Sequence, residues 1–550
     1  MKIHFPNQKK TLDVPEKTRL SDVIRENFGP LLQMACGGGG SCGKCVVRLG
    51  DGRYVRACQT VCDSEMTVFV ETPTLRRSAI LTSFPNSLIE GIAGEEPWEK
   101  AESSFSIAFD LGTTTLAASI IHRETVLATV SRPNPQIQFG ADVISRINYG
   151  NESLVKRNVL QTLLLRAVCA MAEELFANVA QESGLLISYD QIDRLVFAGN
   201  TTMEETLLGL DLTSLASVPF EPSKELNTEY SAGDSVWNGG LDKFLPETKV
   251  LVFPVIGAFV GGDISSGMLA IHSSFSTETA IDGIDRQFDS DYDFFLDLGT
   301  NGEMVLETPE GRLACATAAG PCFEGAKISF GMCAGTGAII SCENKNGRPS
   351  FETFENSRLE GICGSALIDL TAELLSLGLL TSDGRLLEPE EVSLDVPVDW
   401  RCRILKKKLD SENSAKETLC FQIAGKIHVT QEDFRELQLA VGAIRTGIRL
   451  LLAKAGISAS RLRTFRIAGG FGKGLRVRNA QKIGLIPASI SESAVHFLGN
   501  TSLAGTIWAA ASGRAWERAA LLAKETLCID LAQEENFSDV FMDSMFWEEF

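Results

Sequence analysis

Residues 105–119 read FSIAFDLGTTTLAAS, an apolar segment that carries Asp110 into a Gly-Thr turn and is followed by a second apolar segment. The same order returns at residues 294–306, which read FFLDLGTNGEMVL, with Asp297 lying 187 positions after Asp110. One Asp-Gly turn between strands is ordinary hairpin chemistry. Two copies in one chain predict two similarly folded halves that face one cleft, with twin structural hairpins as the alternative.

Both turns have the composition of a phosphate-binding loop. Backbone N–H groups and Thr hydroxyls in such turns can donate hydrogen bonds to nucleotide phosphates. The expected binding residues follow each aspartate: Gly112, Thr113, Thr114 and Thr115, and then Gly299, Thr300, Asn301 and Gly302. Since like charges repel, we expect Asp110 and Asp297 to hold Mg²⁺ or its water rather than to contact phosphate.

A third segment, residues 465–474, reads FRIAGGFGKG and ends an apolar strand in a cluster of glycines. Gly469, Gly470 and Gly472 could let the backbone approach a flat adenosine. Together the three segments resemble the phosphate 1, phosphate 2 and adenosine motifs of the superfamily of acetate and sugar kinases, Hsp70 and actin, from about Phe105 to Ala511. This resemblance implies ATP and Mg²⁺ as ligands and a two-lobed actin/hexokinase/Hsp70-like (ribonuclease H-like) ATPase domain over residues 105–550.

Residues 257–267, GAFVGGDISSG, fall where that superfamily has its first connecting helix. The resemblance makes Asp263 a candidate to orient the water that attacks the nucleotide. A helix cap at a glycine turn is an equally good interpretation of Asp263.

Two long helices are predicted between the motifs. Residues 153–182 place apolar side chains at helical spacing, and residues 431–455 follow Thr430 with Asp433 three positions on, which is typical of a capping box. Both are expected to pack in the core of the domain.

The N-terminal part of the chain predicts a separate, smaller domain. Short strands at Lys2–Phe5 and Thr11–Val14, a helix at Ser21–Asn27, and strands at Val46–Leu49 and Thr67–Val70 suit a β-grasp ferredoxin. The fold class is therefore multidomain α+β and α/β, with domains at residues 1–74 and 105–550.

The loop of this first domain has the spacing of a cluster site. Residues 36–45 read CGGGGSCGKC, and Cys58 follows after a strand and a turn. Four thiolates at this spacing, Cys36, Cys42, Cys45 and Cys58, can hold a 2Fe-2S cluster, and the glycines permit the unusual backbone angles that a loop around a cluster needs. A zinc knuckle is the alternative, but zinc sites show paired C-x2-C elements and only one occurs here.

Cys62 lies four residues after Cys58 and could replace it as the fourth ligand. The resemblance of the loop to plant-type and succinate dehydrogenase-type clusters favours Cys58. The remaining cysteines of the 14 in the chain have no C-x2-C spacing, so we expect no second cluster.

Residues 75–104 are polar, irregular and interrupted by prolines, and we interpret them as a linker. A mobile tether would let the cluster approach first an electron donor and then an acceptor.

Composition narrows the possible partners. The formal net charge of −20 opposes binding to nucleic acid. The N-terminal residues lack the apolar core of a signal peptide, and the most apolar stretch, Val250–Val260, is too short to span a bilayer. We therefore expect a cytoplasmic protein with no membrane partner.

Four further phrases are more specific: AGNTTM at residues 198–203, AGPCFEGA at 319–326, EGICGSALID at 360–369 and LGN at 498–500. They resemble the reductive activators of corrinoid enzymes, and with the ferredoxin this resemblance covers nearly the whole chain. It implies that the protein transfers one electron from a 2Fe-2S cluster to a corrinoid protein of a methyltransferase system, restoring Co(I) from Co(II) at the expense of ATP. The short linker departs from members that carry a separate middle domain.

Other functions stay open on the sequence alone. One is an activator of 2-hydroxyacyl-CoA dehydratases, against which the fused ferredoxin argues; another is a redox-sensing Hsp70-like ATPase. The reductase that supplies electrons is unknown, and a homodimer is an open alternative to a monomer.

Overall fold

The computed structural model describes residues 1–28, 32, 40, 45–70, 84–89, 91–92, 98, 104–274, 292–408, 417–470 and 474–550. Among the expected site residues, Cys36, Cys42 and Gly472 lie outside these ranges. The chain divides into two compact units: unit 1 comprises Met1–Arg77, Ser103–Ile120 and Leu127–Val252, and unit 2 comprises Ser78–Glu102, Ile121–Val126 and Phe253–Phe550.

Unit 1 begins with a β-grasp domain. Its elements are β1 (Lys2–Phe5), β2 (Lys10–Asp13), β3 (Thr18–Arg19), α1 (Leu20–Phe28), β4 (Val46–Leu49), β5 (Tyr54–Arg56), β6 (Val61–Cys62) and β7 (Met66–Phe69). The main sheet has the order β2-β1-β7-β4-β5, with β1 and β7 parallel. Leu20 and Ile24 of α1 are fully buried in a core with Ile3, Phe5 and Val68. The strands and helix predicted from the sequence are confirmed to within one residue at each end.

The second part of unit 1 is a six-stranded sheet with helices. Its strands are β8 (Phe105–Leu111), β9 (Thr115–His122), β10 (Thr125–Pro133), β11 (Ile192–Gly199), β12 (Glu229–Ser231) and β13 (Lys249–Val252). Its helices are α2 (Val143–Asn151), α3 (Leu154–Ser183), α4 (Thr201–Leu207) and α5 (Thr213–Ala216). The Ser153 side chain caps α3 and Gly184 ends it in the left-handed conformation, which confirms the first predicted long helix.

Unit 2 contains a second six-stranded sheet and most of the helices. In chain order its first elements are α6 (Gly262–Ser274), β14 (Tyr292–Leu298), β15 (Gly302–Thr308), β16 (Gly311–Thr317), β17 (Ala338–Lys345), β18 (Arg348–Thr353), β19 (Gly361–Ile362), α7 (Gly364–Ser376), α8 (Val398–Arg401), β20 (Ile404–Lys408), β21 (Glu417–Ala424) and β22 (Ile427–Thr430). Then come α9 (Gln431–Lys454), β23 (Leu462–Ala468), α10 (Val477–Lys482), β24 (Val495–Gly499), α11 (Thr501–Ala511), α12 (Gly513–Lys524), β25 (Thr526–Cys528) and α13 (Phe537–Ser544). Helix α9 opens with the capping box of Thr430 and Asp433, as the sequence predicts.

The two large sheets share the order of five of their six strands, and the sixth lies at opposite edges, β12 beside β13 and β25 beside β16. The first has the order β10-β9-β8-β11-β13-β12 and the second β24-β23-β14-β15-β16-β25. In each, three strands consecutive in sequence are neighbours, and the first of them pairs in parallel with a strand that follows a long helix, β11 in one sheet and β23 in the other. The expectation of two similarly folded halves is confirmed, since each half places its Asp-x-Gly-Thr turn between the first two of these strands.

Part of the segment interpreted as a linker packs on unit 2. We call the described residues 84–89, 91, 92 and 98 the strap. Leu88 is fully buried and Ile92 nearly so. Trp508 Nε1 on α11 donates to the Leu88 carbonyl at 2.7 Å, and Trp98 Nε1 donates to the Ala509 carbonyl at 3.0 Å. Both ends of the strap are therefore attached to α11.

Within the described part of the chain, no helix combines the length and the apolar character needed to cross a membrane.

Candidate functional site

Two of the four expected cluster ligands lie side by side in the β-grasp domain. Cys45 immediately precedes β4, and Cys58 lies in the short turn between β5 and β6. Their Sγ atoms are 3.2 Å apart, and both side chains are buried. The Ala57 N–H donates to the Cys45 carbonyl at 2.8 Å, which holds the two turns together. Two thiols that converge in this way fit a shared iron centre.

The other two ligands, Cys36 and Cys42, fall outside the described ranges. Among the residues within those ranges, no three His, Cys, Asp or Glu side chains form a metal site. Cys62 lies in β6, where Cys62 and Thr18 are register partners, and burial, with Asp63 nearby, raises the pKa of its thiol. Cys58, by contrast, has its Sγ atom 3.2 Å from that of Cys45. The geometry thus supports Cys58 as the partner of Cys45.

The phosphate 1 turn of unit 1 is held by side chains that bind its oxygen atoms. Asn134 Nδ2 donates to the Gly112 carbonyl at 2.9 Å, and Asn200 Nδ2 donates to Thr113 Oγ1 at 2.8 Å. A Cβ at Gly112 would lie 2.3 Å from the Thr115 carbonyl, so only glycine fits there. Because its carbonyls are bound on the protein side, the turn is suited to direct N–H groups at an anion.

Arg146 on α2 lies beneath this turn and is 1% exposed. Its Nη2 donates to the Thr113 carbonyl, and its Nε donates to the Gly140 carbonyl at 3.0 Å. A further donation from Nη1 to Gln136 Oε1 spans 3.3 Å. The buried guanidinium thus fixes the turn from below and adds positive charge next to the expected phosphate.

The phosphate 2 turn of unit 2 joins β14 and β15. Asp297 and Glu303 are register partners across this hairpin, which places their side chains on the same face of the sheet. Asn301 Nδ2 donates to Glu303 Oε1 at 3.0 Å. Thr300 Oγ1 donates to Glu324 Oε2 at 2.9 Å, which ties the turn to the AGPCFEGA phrase.

Three carboxylates converge at this turn. Glu303 is 5% exposed, and burial together with the negative charges of Asp263 and Asp297 raises its pKa well above its usual range. Asp263 is the second residue of α6, so it is not the N-cap residue, and its Oδ1 accepts a hydrogen bond from the Ile264 N–H at 3.0 Å. Carboxylates that repel one another in a buried place favour a bound proton or a hydrated divalent cation.

The adenosine motif meets the phosphate 2 strand within unit 2. Gly469 has φ of 99°, and a Cβ there would lie 2.2 Å from the Leu298 carbonyl. Its N–H donates to the Gly499 carbonyl at 3.0 Å. Asn500, the next residue, caps α11 by accepting from the Leu503 N–H at 2.7 Å. Gly469 thus lies directly beside Leu298, the residue that follows Asp297, and Gly470 comes next after Gly469 in the sequence.

The structure therefore brings Asp263, Asp297 and Gly469 together in unit 2, and places Asp110 with the phosphate 1 turn in unit 1. Sequence reasoning missed Arg146 and gave Glu303 no role. Glu303 follows the turn by one residue and could have been noted as a third acid, whereas nothing local in the sequence marks Arg146 as buried.

Family models match three successive parts of the chain. The 2Fe-2S iron-sulfur cluster binding domain matches residues 4–72, the RACo middle region residues 105–274, and the C-terminal domain of RACo, described as the ASKHA domain, residues 291–549. The middle region coincides with the first large sheet and lies outside residues 75–104, the segment interpreted as a linker.

Similar proteins align along most or all of the chain. The corrinoid activation enzyme RamQ of Eubacterium limosum is 27% identical, with 98% of each chain covered. The [Co(II) methylated amine-specific corrinoid protein] reductase of Methanosarcina barkeri is 24% identical, over 73% of this chain and 68% of the relative. The solved structure of a reductive activator for corrinoid, iron-sulfur protein is 26% identical, has a TM-score of 0.66, and is matched over 100% of this chain and 98% of that one.

Proposed function

Because the chain belongs to the reductive activators of corrinoid enzymes, we propose that it transfers one electron to a corrinoid protein of a methyltransferase system, converting Co(II) to Co(I) at the expense of ATP. The observation that carries this proposal is the order of domains in one chain. A cysteine-loop β-grasp domain precedes two sheets that share the order of five strands, each with an Asp-x-Gly-Thr turn. Relatives that align with this chain along nearly their whole length are named as corrinoid activators.

The proposed roles of the residues follow from their surroundings. Cys36, Cys42, Cys45 and Cys58 would hold the 2Fe-2S cluster, which supplies one-electron chemistry when bound. The turns at residues 112–115 and 299–302 would bind the phosphates of ATP, and the glycines of residues 469–472 would approach its adenosine.

The carboxylates would act on Mg²⁺ and water. Asp110 and Asp297 would hold Mg²⁺ through its waters. Asp263 is proposed to orient the attacking water, and its position beside the buried Glu303, whose pKa is raised by burial and by the charges of Asp263 and Asp297, supports this placement.

The differential binding free energy that ATP must supply to drive this reduction is modest. Shifting a two-state equilibrium from 1:99 to 99:1 takes about 5.5 kcal/mol of differential binding. At roughly 59 mV per tenfold for one electron, this corresponds to about 240 mV. Preferential binding of the partner protein by the ATP-bound state could therefore make reduction of Co(II) favourable without contact between nucleotide and cobalt.

The test is a reduction assay with purified protein, a chemical reductant and a candidate corrinoid protein. We expect the Co(I) absorption band only when Mg²⁺, ATP and the reduced activator are all present. Asp297→Asn should abolish the band and leave the visible spectrum of the cluster unchanged. Asp539→Asn, which alters an exposed carboxylate of α13 in the same unit, is the matched control and should behave as wild type. A Co(I) band of equal size without ATP would contradict the proposal.

A further inference from the structure

Arg25 of helix α1, in the β-grasp domain, contacts the second part of unit 1. The Arg25 guanidinium carbon lies 5.2 Å from the centroid of the Phe139 ring, within the range of a cation–π interaction. Phe139 in turn packs on Tyr149 of α2, with ring centroids 4.4 Å apart. We call Phe139 and Tyr149 the aromatic platform. A side chain of the ferredoxin helix thus lies over one ring of the aromatic platform, in the domain that carries the phosphate 1 turn.

Other charges of α1 lie near the same platform. Arg25 is paired with Asp22 at 2.8 Å on the same helix. Burial raises the pKa of the Tyr149 hydroxyl, and the charges of Arg25, Asp22 and Glu26 act on it as well. The polar side of α1 therefore faces the platform, and Arg25 provides the contact with the ring.

The platform is connected to the phosphate 1 turn by one buried residue. Phe139 is followed by Gly140, whose carbonyl accepts from Arg146 Nε at 3.0 Å. The same guanidinium donates through Nη2 to the carbonyl of Thr113 in the turn. The carbonyls of Gly140 and Thr113 are therefore bound by the same planar group.

We infer that the aromatic platform is the docking site of the ferredoxin helix α1, and that Arg146 couples occupancy of the phosphate 1 turn to this docked position. Helix α1 ends at Phe28, eight residues before Cys36, so the docked element leads directly into the predicted cluster loop. The inference rests on the proposed function in one respect, that ATP binds at the turn. It then adds how ATP changes the position of the cluster domain: binding at residues 112–115 alters the platform, and by linkage the docked helix alters the affinity for ATP.

The experiment measures hydrogen–deuterium exchange of α1 in the full chain with its cluster loaded, with and without Mg-ATP. In wild type we expect ATP to change the exchange rate of the amides in residues 20–28 about fivefold, the ratio that one partly buried cation–π contact corresponds to. Arg25→Glu should abolish this difference and lower the affinity for ATP by a similar factor. Arg19→Glu makes the same charge change at an exposed position just before α1 and should keep the wild-type response.

A second variant changes the other residue of this contact, Phe139. Phe139→Leu removes the ring while keeping an apolar side chain, and it should abolish the response of α1 in the same way. In the double variant with Arg25→Glu we expect no further loss of ATP affinity, because both substitutions remove the same contact. The visible spectrum of the cluster shows that each variant retains its ferredoxin fold.

The outcomes separate this inference from the proposed function. If wild type binds ATP and reduces Co(II), but Arg25→Glu and Phe139→Leu respond to ATP as Arg19→Glu does, the docking inference is wrong and the proposed function stands. If wild type binds no ATP, both fail. Additive effects of the two substitutions in the double variant would also overturn the inference.

Discussion

Glu303 illustrates how a single residue acquires its chemistry from its neighbours. In the sequence it is one of many glutamates near a turn, but it lies across the hairpin from Asp297 and near Asp263, and it is almost fully buried. Removal from water and two like charges both favour its neutral form. Burial and neighbouring carboxylates thus raise the pKa of this carboxyl group well above that of an exposed glutamate, although the residue type is the same.

The first prediction concerns the cluster ligands. Cys42→Ser should abolish the visible and electron paramagnetic resonance spectra of a 2Fe-2S centre, whereas Cys62→Ser should leave them intact, because Cys58 lies beside Cys45 and is the proposed fourth ligand. Iron analysis should give about two irons per chain. Equal loss of iron in both variants would contradict the choice of Cys58.

The second prediction is a pH dependence of stability. Glu205 is fully buried, its Oε1 accepts from the Ser223 N–H at 2.6 Å, and burial raises its pKa to about 7. The folded state therefore keeps a proton that the unfolded state releases near pH 4.5, its ordinary pKa. The contribution of Glu205 to stability thus falls as pH rises from about 4.5 to about 7, and is constant above that.

Glu205→Gln should remove this dependence. We expect the variant to match wild type near pH 5 and to be more stable at pH 8 by up to about 3 kcal/mol, since each pKa unit corresponds to about 1.4 kcal/mol. Thermal unfolding midpoints at the two pH values provide the measurement. Glu221→Gln, at an exposed position, should show the wild-type dependence; the same behaviour in Glu205→Gln would rule out a buried neutral Glu205.

At the level of elements, the two hairpins are equivalent in topology but are supported differently. Asparagine side chains and the guanidinium of Arg146 hold the first turn, while carboxylates surround the second. Both turns are proposed to bind phosphate, but the first is backed by cationic and amide donors that suit an anion directly, whereas the carboxylates around the second would need Mg²⁺ between them and the phosphate. Duplication of the fold therefore does not imply duplication of chemistry.

The third prediction concerns the strap. Leu88 is fully buried and its carbonyl accepts from Trp508. Leu88→Ala should lower the unfolding free energy of unit 2 by about 2–4 kcal/mol, as is typical of a buried leucine. Leu394→Ala is the matched control, because Leu394 is 85% exposed in the same unit. This substitution should lower the unfolding free energy by about 0.5 kcal/mol or less. Denaturant unfolding followed by tryptophan fluorescence distinguishes the two, and equal small losses would show that residues 84–98 act only as a linker.

For the whole molecule, the proposed function requires that ATP and the partner protein affect each other. The fourth prediction is that a cognate corrinoid protein raises the affinity for Mg-ATP by the same factor by which Mg-ATP raises the affinity for the corrinoid protein, because binding linkage is reciprocal. Titration calorimetry in both orders gives the two factors. Asp110→Ala should remove the effect in both directions, and an affinity for the corrinoid protein that does not depend on ATP would contradict the coupling.

The overall organisation of the molecule was predictable because its signals are local. The cysteine loop, the two Asp-x-Gly-Thr turns and the helix capped by Thr430 each lie within a few residues of one another, and their structures follow from backbone and capping preferences. The family and fold predicted from these signals are confirmed by the family models and by the structure. The roles of Asp110, Asp263 and Asp297 and of the four cysteines stay predictions, which the substitutions above address.

The order of domains, the duplicated strand-turn-strand units and the residues chemically able to hold a cluster and a nucleotide can all be read from the amino-acid sequence alone. The fold is needed to show which distant side chains meet: Arg146 beneath the phosphate 1 turn, Glu303 against Asp297, Leu88 on α11 and Arg25 on Phe139. Desolvation and contact depend on residues that are far apart in the chain. Local patterns specify strands, turns and caps, but they carry no information on which distant side chain removes a charge from water.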